Sequence, residues 1–378
     1  MADIVFEKDL SVAETGIEGL KVVDLAVHGD SRGWFKENWQ RAKMTELGIP
    51  DFRVVQNNIS YNEKRGVTRG IHAEPWDKFI SVARGSVFGA WVDLREGSAT
   101  YGKVYTTVLD PSKAIYVPRG VGNSFQALED GTAYTYLVDA HWSLELKKTY
   151  TFVNLADPEL AIEWPITLQD AVVSEADLNH PFLKDVIPMA PKLTLVIGGE
   201  TEMGNAIKSI VGCRASVNSY DFFDSATFDI SDPKTYQSID GSLYGAFINC
   251  SASDCDRVIA SSEYKSGNWT ADAMGSVLLA RFCAEYGIDL VCFSSLPTSG
   301  FSCECLSSVL DNGLMEFGLS GMADEIAAQC CSNHYVIRKD CSLSSMTDVC
   351  SIEKTILELL ENKLPYGTYS MQGRLLGA

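Results

Sequence analysis

The first 212 residues of this 378-residue chain contain no cysteine, and all 11 cysteines lie from Cys213 onward. A disulfide framework is therefore excluded for the first half. In the second half, Cys250, Cys283 and Cys292 sit in apolar runs and Cys330-Cys331 are adjacent, a placement that predicts thiols rather than bridges. Cys303-Glu304-Cys305 is too tight a pair, without nearby histidines, for a zinc site. Histidine is scarce too. The first half offers His28, His72, His141 and His180, no two close together in sequence as a ligand pair would be, so no metal is expected. No apolar run approaches the roughly 20 residues of a membrane span, and the first eight residues lack the basic and apolar regions of a signal peptide. Basic residues are few, 31 Lys+Arg against 50 Asp+Glu, and the net charge of -19 argues against nucleic acid and anionic membranes as partners. A phosphate-bearing ligand must then be met by local arginines and lysines. The expected compartment is the cytoplasm.

What is present divides into two halves with different rhythms, as the length allows. From residue 22 to about 138, short β-prone runs such as 104–109, 114–117 and 132–138 are separated by turns. There is almost no helical period, which predicts an antiparallel barrel or jelly roll with a mouth for a ligand. Within it, residues 66–78 pack Arg69, His72 and Lys78 into a short run next to Arg65. An imidazole there can serve as a base while the cations bind anions. Tyr134 and Tyr136 share one face of their strand by the two-residue period.

The chain turns polar and proline-bearing across residues 179–192, and the domain boundary is placed at 185/186. Beyond it, 193–197 reads as a buried parallel strand, followed by Gly198-Gly199-Glu200-Thr201-Glu202-Met203-Gly204 opening a helix. Further strands are expected at 245–249, 289–294 and 335–338, with helices at about 270–286 and 313–331. This alternation predicts a Rossmann-like doubly wound α/β sheet. The glycine loop is incomplete. Gly198 and Gly204 suit the outer roles of a dinucleotide loop, but Thr201 stands where the middle glycine belongs and would crowd the phosphates. Glu200 and Glu202 add negative charge where an anion would bind.

The order Asp30-Ser31-Arg32-Gly33-Trp34-Phe35-Lys36-Glu37, Val55-Gln56-Asn57-Asn58-Ile59-Ser60, Gly66-Val67-Thr68-Arg69-Gly70-Ile71-His72, then residues 85–98 and 116–130, closely resembles the dTDP-4-dehydrorhamnose 3,5-epimerase family. The similarity covers roughly residues 20–185. It implies a cupin-like jelly roll that works without a metal or other cofactor, as a homodimer through this domain. The implied reaction is epimerisation at C3 and C5 of a dTDP-4-keto-6-deoxy sugar on the way to dTDP-L-rhamnose. By the same resemblance His72 is the base, Asp177 the carboxylate that orients it, Tyr136 the acid on the opposite face, and Lys78 the cation that offsets enolate charge. Arg32, Gln56, Asn58 and Arg69 would hold the nucleotide and its pyrophosphate, with Phe35 and Glu37 near the base. Asn123 stands where many of these epimerases carry a histidine. It can hydrogen-bond a substrate but cannot transfer a proton.

The second half is similar to the dTDP-4-dehydrorhamnose reductases, extended short-chain dehydrogenases that use NADP(H) and a Tyr-x-x-x-Lys motif. Here Phe317 replaces the tyrosine and Gly321 the lysine, and Ser294 or Ser295 alone cannot drive ketone reduction. A domain incompetent as a reductase is expected, kept either as a scaffold or as a pocket that senses a nucleotide. Two alternatives stand beside this reading: a working bifunctional epimerase/reductase, and a non-catalytic sugar-nucleotide-binding assembly subunit.

Overall fold

The computed structural model describes residues 4–212, 220–251, 268–294, 328, 334–338, 354–356, 358–360, 364 and 366–370. The chain forms two compact units, Met1–Pro191 and Lys192–Ala378.

The first unit runs β1 (Ser11–Glu14), β2 (Lys21–Asp24), β3 (Val27–Asp30), β4 (Gly33–Lys36), α1 (Arg41–Glu46), β5 (Gln56–Asn62), β6 (Val67–Ala73), β7 (Lys78–Arg84), β8 (Val87–Asp93), β9 (Val104–Leu109), β10 (Lys113–Val117), β11 (Val121–Ala127), β12 (Thr132–Val138), α2 (Leu144–Lys147), β13 (Thr151–Phe152), β14 (Val172–Val173) and α3 (Glu175–Leu178). One sheet has the order β1-β2-β10-β7-β12-β5, the other β13-β6-β11-β8-β9, with β14 added in parallel to β6. Every other pairing in these two sheets is antiparallel.

The two sheets face each other across one core. Ile80, Val82, Ile115, Val117 and Tyr134 of the first sheet pack with Val87, Trp91, Leu109, Val121 and Phe125 of the second. This is a β-rich, jelly-roll-like sandwich. The outer faces of the central strands are covered as well. Phe79, Ala114 and Tyr116 pack against Met44, Ile49 and Phe52, while Ile71, Val92 and Leu94 pack against Val153, Leu155, Val186 and Met189. Burial on both faces leaves β7 and β8 without the alternation of a one-sided strand. It also carries the first unit past the expected boundary at 185/186. Val186 and Met189 belong to its core, and Met189 ties into it through its N–H to Leu94 O at 2.8 Å.

The second unit contains β15 (Leu193–Ile197), α4 (Glu202–Val211), β16 (Tyr220–Phe223), β17 (Tyr244–Asn249), α5 (Asn268–Tyr286), β18 (Asp289–Ser294), β19 (His334–Arg338) and β20 (Gly367–Ser370). These strands form one parallel sheet in the order β16-β15-β17-β18-β19-β20. Alternate residues go to opposite faces: Leu195, Ile197, Phe247, Leu290 and Val336 to one cluster, Val196, Ile248, Val291, Tyr335 and Ile337 to the other. Cys250, Cys283 and Cys292 are buried. The helix expected at 313–331 lies, apart from residue 328, outside the described residues. Among the described residues no helix is long and apolar enough to cross a membrane.

Candidate active site

Where the second sheet faces the first, β6 carries a bulge. Across the β6–β11 pair His72 stands opposite Asn123 and Arg69 opposite Phe125, so three residue steps on β6 match two on β11. In a regular strand residues three apart face opposite sides. The extra residue puts both Arg69 and His72 on the side where Phe125 enters the core. Gly70 makes the bulge possible, with φ at +125° and Ser124 Cβ only 2.4 Å from where a Cβ would stand.

The bulge also receives a carboxylate. Pairing of Val172-Val173 with Val67-Thr68 brings α3 alongside β6, and Ser174 caps that helix by accepting the Asp177 N–H at 3.1 Å. Asp177 Oδ1 then lies 2.9 Å from His72 Nε2 and 3.3 Å from His180 Nε2, and Oδ2 accepts the Gly70 N–H at 3.4 Å. Burial raises the proton affinity of Asp177. The bonds from His180 and His72, the imidazole charge and the Gly70 N–H outweigh it and hold the carboxyl well below the usual range. With Nε2–H given to Asp177, the lone pair of His72 is on Nδ1, the arrangement of a base held by an orienting carboxylate. Its side chain is 31% exposed against 10% for Asp177, so the imidazole is the accessible member of the pair.

These contacts correct the expectation drawn from histidine spacing. His72 and His180 are far apart in sequence, yet their rings meet edge to face with centroids 5.4 Å apart. Their ring nitrogens and the Asp177 oxygen lie within 4.8 Å of one another, the only such trio among the described residues that could hold a metal. The Nε2 atom of each imidazole has the Asp177 carboxylate as its partner.

The opposite wall comes from β7, β12 and β5. Lys78 shares the inward face with Ile80 and Val82, and its ammonium pairs with Glu74 at 2.5 Å with 4% and 12% of the side chains exposed. It also stands 5.9 Å from the centre of the Tyr136 ring. Burial, then the Glu74 charge, push the Tyr136 phenol above its usual range, and Arg69 partly offsets them. The phenol therefore keeps its proton through neutral pH. Asn58 pairs with Tyr136 across β5–β12 and Gln56 with Val138, so both share this face, and Gln56 Nε2 donates to Asn58 Oδ1 at 2.8 Å. The buried Tyr134 stacks on Phe125 at 4.1 Å and donates to Asn123 Oδ1 at 3.0 Å, linking the two walls.

Residues 14–185 match the model of the dTDP-4-dehydrorhamnose 3,5-epimerase family. A "Protein RmlC homolog" of Streptococcus pyogenes serotype M6 is 54% identical over 198 residues, 51% of this chain and 99% of that protein. The chain belongs to this family. A dTDP-4-dehydrorhamnose 3,5-epimerase of Methanothermobacter thermautotrophicus is 32% identical over 46% of this chain and 94% of its own. Among solved structures, RmlC of Streptococcus suis in complex with dTDP-D-xylose is 56% identical, covers 49% of this chain and 97% of that one, and has a TM-score of 0.47.

The epimerase-like unit does not bring all the candidate residues together. Arg32, Phe35 and Glu37 lie on or just after the separate β3–β4 hairpin. Phe35 is 67% exposed, Arg32 pairs with its neighbour Asp30 at 2.5 Å, and Glu37 pairs with Lys43 at 2.5 Å. Lys36 fastens the hairpin by donating to Val82 O and Pro111 O. Val82 is four residues along β7 from Lys78, roughly 13 Å at strand rise. Sequence reasoning left Glu74 and His180 without roles; Glu74, only four residues before Lys78, was the readable signal.

In the second unit the glycine loop is closed on itself. Thr201 does not crowd the mouth of the loop as expected. It is 6% exposed, and its hydroxyl donates to Gly198 O at 2.8 Å and accepts the Gly204 N–H at 3.1 Å. A helix N-terminus binds anions through such N–H groups, and this one is taken. The Glu200 carboxylate accepts the Ser225 N–H at 3.1 Å. A side chain at Gly204 would come within 2.2 Å of Gly198 O, so close packing of strand and helix accounts for this glycine without a ligand. Ser294 ends β18, while Ser295, Phe317 and Gly321 lie outside the described residues.

Proposed function

We propose that the first unit epimerises C3 and C5 of a dTDP-4-keto-6-deoxy sugar, in the dTDP-L-rhamnose route, by acid–base catalysis without a cofactor. The observation that carries this reading is the His72–Asp177 pair on one wall of the cavity with Tyr136 and Lys78 on the other. The hydrogens on C3 and C5 are acidic because the C4 ketone takes the electron pair as an enolate. His72 Nδ1 removes the proton from one face, and Asp177 stabilises the imidazolium that forms. The Lys78 ammonium offsets charge on the enolate oxygen. Tyr136, still protonated, delivers a proton to the opposite face and so inverts the centre. Asn58, Gln56 and Arg69 border the same cavity and hold the nucleotide diphosphate, with Asn123 contributing an amide contact to the sugar.

We also propose a homodimer. Arg32, Phe35 and Glu37 project from a hairpin remote from Lys78 of the same chain, which suits a second copy supplying them to its neighbour's nucleotide. The second unit is read as a Rossmann-like relative of the dTDP-4-dehydrorhamnose reductases that has lost hydride transfer. Its parallel sheet, the glycine turn after the first strand, the self-capped loop, and the sequence positions Phe317 and Gly321 support that reading.

The test is NMR of dTDP-4-keto-6-deoxyglucose with the full chain in deuterated water, NADPH present. Deuterium at C3 and C5 without NADPH oxidation is expected, and His72→Asn should abolish it. Oxidation of NADPH with a rhamnosyl product would overturn the inactive-reductase reading. Absence of exchange by the unsubstituted chain would overturn the epimerase.

A further inference from the structure

The chemistry above uses one of the two imidazoles that meet Asp177. His180 is the other, and it is fixed from several sides. Its ring stacks on Phe152 at 4.6 Å with 19° between planes, and its backbone carbonyl accepts from Asn154 Nδ2 at 2.9 Å. The same amide group also holds Leu178 O at 2.9 Å, so the end of α3 is clamped on both sides of Asn179. The side chain is 14% exposed, and its Nε2 is directed at the oxygen that His72 uses.

We propose that His180 is a positioning residue for the base: by donating its Nε2–H to Asp177 Oδ1 it holds the carboxylate toward His72 and divides the pull that this oxygen exerts on the His72 ring. The inference rests on the reading of His72 as base. A carboxylate oxygen has lone pairs for two donors, and the bond to each is weaker when both are present. When His72 takes a proton from the sugar, Asp177 must stabilise the charge without holding it so firmly that the imidazole fails to return to its neutral form. A second donor on the same oxygen sets that balance. The other titratable side chains on the elements around His72 and Tyr136 include Arg69 and Glu74 by β6, Lys78 and Arg84 on β7, Tyr61 on β5, Tyr134 and Tyr136 on β12, Tyr150 beside β13 and Glu175 on α3. None of these has a hydrogen bond to Asp177 in this structure, and Asn123 on β11 carries no charge.

Two variants separate this role from a structural one. His180→Phe preserves a ring against Phe152 and removes the donor, whereas His180→Gln keeps an N–H within reach of Asp177 and gives up the stack. The measurement is kcat/KM for deuterium exchange at C3 and C5 across pH 5 to 9. For His180→Phe the acid limb should move to higher pH by about half a unit to one unit, the size expected for one hydrogen bond withdrawn from a carboxylate. For His180→Gln it should return toward its original position even if the rate falls. A His180→Phe profile lowered by one factor at every pH, with the limb unmoved, would overturn the proposal and leave only a packing role. A His180→Gln profile displaced like that of the Phe variant would overturn it as well. Failure of the unsubstituted chain to exchange deuterium would instead remove the base itself, and this inference with it.

Discussion

Replacing Gly70 by alanine tests the local geometry on which the site depends. The backbone at Gly70 has φ of +125°, a region closed to residues with a Cβ at a strain of order 1–3 kcal/mol. The added methyl would also stand 2.4 Å from Ser124 Cβ and 2.8 Å from Ser124 Cα on the neighbouring strand. Because β11 is held on both sides, by β6 and β8, it cannot simply move aside, and overpacking of this kind costs about 1–3 kcal/mol more. The sum, about 2–6 kcal/mol, is a large part of the stability of a typical domain. Six of the seven tryptophans lie before residue 192, so tryptophan fluorescence during urea unfolding reports mainly on the first unit. Its midpoint should fall by about 1 M or more. The chain has one cheaper response, which is to lose the bulge. That would turn either Arg69 or His72 to the other side of β6, and exchange at C3 and C5 would then fall even where the protein remains folded. Gly97→Ala is the control, since that glycine has φ of +74° but nothing within 4 Å of a Cβ, and only the strain should be felt. Gly70→Ala with unchanged midpoint and unchanged exchange would refute the account of the bulge.

Three further outcomes follow from the same contacts. Tyr136→Phe should lower turnover by a factor of about 10²–10⁴, the usual contribution of a positioned acid; because His72 remains, proton NMR should still show deuterium washing in while inversion is lost, and loss of both together would contradict separate acid and base. Asp177 is held below its ordinary value of 3.8, so its stabilising contribution is complete above about pH 4 and is lost as pH falls through its lower folded value; the stability difference between the parent chain and Asp177→Asn, from urea titrations, should therefore shrink below pH 4, and a constant difference would refute that contribution. With the Gly204 N–H taken by Thr201 and Glu200 folded onto Ser225, NADPH titrated calorimetrically into the full chain should give no saturable heat at micromolar concentrations, and a stoichiometric isotherm would show that the loop opens.

How much of this was legible in the sequence depended on whether the pattern was local. Residues 132–138 and 289–294 announce their strands because β-branched and aromatic side chains end at clear turn signals, and the structure keeps those limits. The limit at 185/186 falls short because Val186 and Met189 lie within a polar, proline-bearing stretch yet pack into a core formed much earlier in the chain. His180 was invisible for the same kind of reason. Its partner Asp177 reaches His72 across 105 residues only after β14 has paired with β6, and nothing in the spacing of histidines encodes that pairing. Thr201 misled in the other direction. Its size suggested obstruction of a phosphate, while the hydroxyl, which any threonine brings, turned inward to cap the helix.

The base and acid proposed here stand as inversion requires of a sandwich. An epimerase must take a proton from one face of a carbon and return one to the other, so the two groups need to stand on opposite sides of the sugar. Residues on one face of a single strand cannot do this, because their side chains point the same way. Two facing sheets can, and here His72 belongs to one and Tyr136 to the other. The gap between packed sheets is near 10 Å, wide enough for a sugar ring only where core side chains are missing. The side chains of Lys78, Asn58 and Gln56 are polar ones on a face that elsewhere carries Ile80, Val82 and Tyr134 in the core. On the other sheet the change comes at the Gly70 bulge, beyond which Phe125 gives way to Asn123 as the neighbour across the strand. Both sheets thus exchange apolar for polar side chains at the same end of the core, and the bulge lets β6 present its arginine and its histidine to one side.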